Sequence, residues 1–75
     1  MASRARTLVI CVKNEGYATA LELRKLYVAL PDARAAERDL LRVIDESGED
    51  YLYPEALFVV ADLPRTVKRR VMLAA

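Results

Sequence analysis

The sequence predicts a small, mainly β domain, and three stretches carry that prediction. Residues 7–13 (TLVICVK) are rich in β-branched side chains and stop at the turn cluster Asn14-Glu15-Gly16, the pattern of a buried strand. Residues 41–45 and 50–53 alternate apolar and polar side chains on either side of Glu46-Ser47-Gly48-Glu49. A four-residue, glycine-containing loop in that setting marks a β-hairpin. Residues 58–62 follow Pro54-Glu55-Ala56-Leu57; a proline does not continue a paired strand, so a tight turn leads into a last strand.

The remaining stretches fit around these. Residues 1–7 form a basic arm with Arg4 and Arg6. Residues 18–30 are ambiguous: Leu23, Leu26, Tyr27 and Leu30 fall on a helical stripe, and the Ala, Glu, Arg and Leu content favours helix. Yet Leu21 alternates with Leu23, and Leu26 with Val28 and Leu30, across a one-residue slip at Arg24-Lys25 of the kind a β-bulge makes. Pro31 ends that stretch, and Asp32 is suited to cap a short Ala-rich helical turn over residues 33–39. Leu63-Pro64 opens a C-terminal helix in which Leu63, Val67 and Val71 recur every four residues, giving it one narrow apolar edge. The expected organisation is a basic arm over 1–7, a β-barrel over 8–62 and an amphipathic helix over 63–75.

Size and composition set the outer limits. At 75 residues the chain holds one domain at most, and a chain this short buries only about 60% of the surface its unfolded form exposes. No deep enclosed cavity is expected. The chain has no histidine and one cysteine, so zinc fingers, disulfide scaffolds and Cys–His catalytic pairs are excluded within it. Cys11 lies inside the apolar run of residues 8–12 and reads as a buried, inert thiol. That run is far shorter than a bilayer span or a signal-peptide core, so a cytoplasmic protein without membrane contact is expected.

Residues 51–60, Tyr-Leu-Tyr-Pro-Glu-Ala-Leu-Phe-Val-Val, run strand, proline, one-turn helix, strand. This order resembles the last part of SH3-like barrels, and the hairpin over 41–53 fits the same layout. Residues 42–54, Arg-Val-Ile-Asp-Glu-Ser-Gly-Glu-Asp-Tyr-Leu-Tyr-Pro, are also similar to the signature of a group of short, uncharacterised bacterial proteins, a likeness that implies no activity. The resemblance implies a small SH3-like β-barrel of about five strands with a short helical insertion and a C-terminal helix. Under it residues 18–30 become a long, bulged second strand, tertiary pairing overruling helical propensity. A core of Leu8, Ile10, Val12, Leu21, Leu23, Val28, Val43, Leu52, Phe58 and Val60 is expected. The chain has no tryptophan, and Tyr17-Ala18-Thr19-Ala20 departs from the ALYDY-type stretch of peptide-binding SH3 domains, so recognition of proline-rich ligands does not carry over.

Two surfaces are candidates for function. Tyr51 and Tyr53 share a face of one strand; with Tyr17 and Pro54 they suggest an aromatic contact patch for an unidentified protein partner, the alternative being rings that close the ends of a small barrel. The ends of the chain, residues 1–7 and 63–75, carry six basic and no acidic side chains, whereas residues 8–62 carry six basic and eleven acidic ones. Arg65, Lys68, Arg69 and Arg70 on the C-terminal helix, with Arg4 and Arg6, are of a type that grips phosphate, which makes nucleic acid the alternative partner. The plainer reading is a solvated helix face, or basic ends paired with the acidic body. Asp45, Glu46, Glu49 and Asp50 at the hairpin tip lack the spacing of a calcium loop and read as a solvated acidic turn. No catalytic residue, metal or cofactor is expected. The leading expectation is a non-catalytic, cytoplasmic protein-interaction module, as a monomer or a weak dimer through its C-terminal helix.

Overall fold

The structure, a computed structural model, describes residues 6–74; of the basic arm expected over residues 1–7, residues 1–5 lie outside the described residues. Strand β1 spans Thr7–Cys11, β2 Leu26–Leu30, β3 Leu40–Ile44, β4 Asp50–Pro54 and β5 Phe58–Val60. Helix α1 spans Ala33–Glu37, a 3₁₀ turn covers Glu55–Leu57, and α2 runs over Arg65–Ala74. All neighbouring strands pair antiparallel, in the order β4-β3-β2-β1-β5.

The connection between the two outermost strands dictates the shape. In a flat sheet β4 and β5 would stand about 19 Å apart, four steps of roughly 4.8 Å. They are consecutive in sequence and joined by one 3₁₀ turn of three residues, which advances only about 6 Å. The sheet therefore curls until its two edges approach, and the result is a half-barrel. The mainly β fold expected from the sequence is the one observed.

Inside the curl, Val9, Cys11, Tyr27, Ala29, Val43, Tyr53 and Phe58 project from the five strands, and Leu21 and Leu57 join them from the connections. The opposite face of β1 is also buried: Leu8 is fully covered. Leu8, Leu26, Val28 and Ile44 line a cleft of about 530 Å³ together with Val71 and Met72 of α2, so the C-terminal helix serves as a second layer over the outer face. β1 is therefore buried on both faces at Leu8 and Val9, and burial of both faces favours a continuous apolar run over alternation.

Several expectations are corrected. The second strand does not run over 18–30 but is confined to Leu26–Leu30. Before it, the Ala20 and Leu21 amides both donate to the Tyr17 carbonyl, and Arg24 has a φ of 62°, so residues 17–25 form a folded turn segment. The expected core is also revised. Val12, Leu23, Leu52 and Val60 are exposed, Ile10 and Val28 are half-buried on the outer face, and Val9, Cys11, Tyr27, Ala29, Tyr53 and Leu57 take their places inside. On a two-sided strand alternation alone does not say which parity faces the larger core, and the curl, not the pattern, decided it. On α2, Lys68, Val71 and Met72 are half-buried while Val67 is exposed, so the inward edge is rotated from the expected stripe.

Other elements agree with their sequence signals. The Asp32 carboxylate accepts from the Ala35 amide at 3.0 Å, satisfying a donor that a helix N-terminus leaves without a partner. Gly48 has a φ of 86°, the left-handed conformation that favours glycine in a hairpin loop.

Candidate binding surfaces

The four residues expected to form an aromatic patch do not lie on one exposed surface. Tyr53 is only 5% exposed; its ring meets Tyr17 edge-on at 5.3 Å and Phe58 at 6.3 Å between centroids. Tyr17 packs partly buried against that core. Tyr51 is exposed and donates to Glu49 Oε1 at 3.0 Å, while Pro54 lies half-buried at the end of β4. Alternation does put Tyr51 and Tyr53 on one face of β4, but β4 leaves the core towards the hairpin tip and only Tyr53 stays beneath it.

The Tyr53 hydroxyl explains why a tyrosine is tolerated there. It donates to Asp45 Oδ2 at 2.5 Å, while Asp45 Oδ1 accepts from the Ser47 hydroxyl at 2.6 Å and the Ser47 amide at 2.9 Å. Burial pushes the Asp45 carboxyl up, yet these hydrogen bonds outweigh it and hold it below its ordinary value. The same burial, with Asp45 beside it, pushes Tyr53 up to about 12. Asp45 is thus a buried anchor and not part of a solvated acidic turn.

The neighbouring carboxylates are also engaged within the chain. Glu46 accepts from Lys25 Nζ at 2.6 Å and from the Tyr27 hydroxyl, and its amide donates to the Ala20 carbonyl. Arg42 bridges Asp32 at 2.8 Å and Asp50 at 3.0 Å. Among the described residues no ion pair reaches Arg6 or the four cations of α2; the acids that are paired, Glu22, Glu46, Asp32 and Asp50, meet Lys25 and Arg42 instead. Arg6 and Lys68, sixty-two positions apart in the sequence, line one cleft of about 290 Å³.

A further surface lies at the opening of the half-barrel. A cleft of about 850 Å³ runs between β4 with its 3₁₀ turn and β5; its lining includes Leu41, Pro54, Phe58 and Val60, with the acidic residues Asp39 and Glu55. The sequence singled out only Pro54 of these. Phe58 and Val60 were expected in a core, and Val60 is 69% exposed because, among the described residues, β5 pairs on one side only. The signal that could have found the site was the shortness of the turn between β4 and β5, since it requires the edges of a five-stranded sheet to face each other.

Among the described residues, no group of three or more His, Cys, Asp or Glu side chains is arranged to hold a metal ion, and no helix is long and apolar enough to cross a membrane. Comparisons with protein-family models, curated proteins and solved structures find no match for this chain.

Proposed function

We propose that this chain is a non-catalytic protein-interaction module of the cytoplasm, and that the partner docks at the opening between β4 and β5. One observation carries the reading: β5 ends the sheet with Val59 and Val60 exposed beside an apolar cleft of about 850 Å³. Exposed apolar surface next to an open strand edge marks interaction sites in native proteins. A reducing compartment suits the single thiol, which is free and buried. The chain has no histidine, and Asp45, the one buried carboxylate among the described residues, is committed to Ser47 and Tyr53, so no acid–base pair is assigned.

The test is site-specific photo-crosslinking in cells. A crosslinking side chain at Val60 is expected to trap a discrete protein, whereas one at exposed Glu15, beyond the cleft lining, is not. Equal labelling from both positions, or none from Val60, would remove the reading.

A second reading rests on a different observation, that Arg6 and Lys68 line one cleft and that, among the described residues, no ion pair engages the α2 cations. It makes the α2 face a site for nucleic acid. Oligonucleotide affinity should then fall steeply with salt, by about 0.7 in log–log slope per phosphate contacted on a single strand. The double variant Arg69→Glu, Arg70→Glu should abolish binding. Affinity that ignores salt, or survives the double variant, excludes this reading.

A further inference from the structure

The hydrogen-bond parity of β5 shows which of its backbone groups face the opening. The Ala61 amide donates to the Leu8 carbonyl at 2.9 Å, and the Val12 amide donates to the Leu57 carbonyl at 2.8 Å. In the register that pairs Val9 with Val60 and Ile10 with Val59, residues 57, 59 and 61 therefore turn their backbone groups towards β1. Residues 58 and 60 turn theirs away. The Phe58 amide is already taken by the Glu55 carbonyl. What faces the opening is the Phe58 carbonyl and both the amide and the carbonyl of Val60, on a strand with no second neighbour among the described residues.

The other edge of the sheet differs. The Asp45 amide donates to Glu49 and the Glu55 amide to Asp39, so by the same parity Asp50, Leu52 and Pro54 turn their backbone groups outward from β4. That edge is blunted, because Pro54 has no amide to offer and Asp50 places a charge there. Such devices are how proteins keep an edge from pairing. The residues of β5, Phe58-Val59-Val60, carry neither. Beside this open edge the cleft has an apolar lining that includes Leu41 and Phe58, and it holds two carboxylates, Asp39 and Glu55, for which no ion pair occurs among the described residues.

We propose that the cleft takes an extended peptide segment in which apolar residues are flanked by lysine or arginine, and that this segment adds to β5 as a sixth strand. Main-chain hydrogen bonds to Phe58 and Val60 supply pairing, alternate apolar side chains enter the cleft, and the cationic residues meet Asp39 and Glu55. The inference rests on the protein-binding reading of this opening and adds the chemistry of what binds there.

The probe is a capped heptapeptide, Lys-Val-Thr-Val-Thr-Val-Lys, titrated into the full chain and followed by two-dimensional amide NMR. Saturable shifts are expected at residues 58–60 and near Asp39 and Glu55, with slowed exchange of the Val60 amide. Proline in place of the peptide's central valine should weaken binding at least about ten-fold, since it removes a donor and the strand geometry. The pair Asp39→Asn and Glu55→Gln should weaken it roughly three- to ten-fold, as expected for exposed charge pairs; asparagine suits position 39, whose φ is 58°. No shift at millimolar peptide, equal binding of the proline version, or shifts confined to α2 would overturn the inference. If peptide binding fails while the Val60 crosslinker still traps a protein, the opening is a protein site of another chemistry. If the crosslinker also traps nothing, the underlying reading falls with it.

Discussion

The buried carboxylate of Asp45 organises the hairpin, and its removal gives a direct stability test. Asp45→Ala leaves the Tyr53 hydroxyl inside the core without an acceptor, and an orphaned buried donor costs about 1–3 kcal/mol. At roughly 4–8 °C per kcal/mol for a domain of this size, thermal melting should register the loss clearly. Asp45→Asn keeps an acceptor and should lose less. The pH dependence has a definite sign, because the carboxyl is held below its ordinary value of 3.8 in the folded chain. Its contribution is therefore present above that pH and is lost as the pH falls through the lower folded value. The stability gap between the native chain and Asp45→Asn should narrow below about pH 4, and chemical denaturation at pH 3 and pH 7 would measure it. Cys11 supplies a second test at this scale. Its Sγ is enclosed, donates to the Lys13 carbonyl at 3.1 Å, and burial pushes its pKa up, so a thiol reagent should modify it only as fast as the chain unfolds.

At the level of elements, how far the sequence could be read depended on whether a local cause set the geometry. The β3–β4 hairpin, the Asp32-capped helix and the proline-led 3₁₀ turn were legible because a glycine, a capping carboxylate or a proline dictates each one nearby. Residues 17–25 were not. Their conformation is fixed by side-chain bonds at either end and by one long-range bond: the Glu22 amide donates to the Tyr27 hydroxyl at 2.7 Å, Asn14 Nδ2 to the Leu21 carbonyl at 3.0 Å, and, across twenty-six positions, the Glu46 amide to the Ala20 carbonyl at 3.0 Å. None of these partners is announced by spacing. The distinction is measurable through Leu21 and Leu23, which would share a face in a strand but are 0% and 47% exposed here. Leu21→Ala should cost about 2–5 kcal/mol, the usual range for a fully buried leucine, while Leu23→Ala should stay within about 0.5 kcal/mol. Equal losses would restore the strand. The binding surfaces followed the same division: cationic residues of the two ends could be named from the sequence, but the peptide cleft could not, because Asp39, Leu41 and Val60 come together only when the sheet curls.

Across the whole molecule, the half-barrel and α2 form two layers that share β1, and the layers are unequal. The inner face closes on itself through aromatic contacts among Tyr17, Tyr53, Phe58 and Tyr27. The outer face depends on a helix that meets it through the half-buried side chains of Val71 and Met72 and leaves Leu73 79% exposed. An arrangement of this kind should open in parts, the thinly packed helix before the sheet. Val71→Asp with Met72→Asp places charge in the cleft that Leu8, Val28 and Ile44 also line and removes on the order of 2 kcal/mol of apolar burial, at about 0.8 kcal/mol per buried methylene for two half-buried side chains. The expected result is rapid amide exchange throughout residues 65–74 while the amides of β1–β3 stay protected. The Tyr53 and Phe58 ring signals should keep their native shifts. If the whole sheet instead loses protection together with the helix, the layers are one cooperative unit, and the helix is required for the barrel to fold. That outcome would also change how the two binding surfaces relate: charge reversal on α2 would then weaken peptide binding at β5, whereas independent layers leave it untouched.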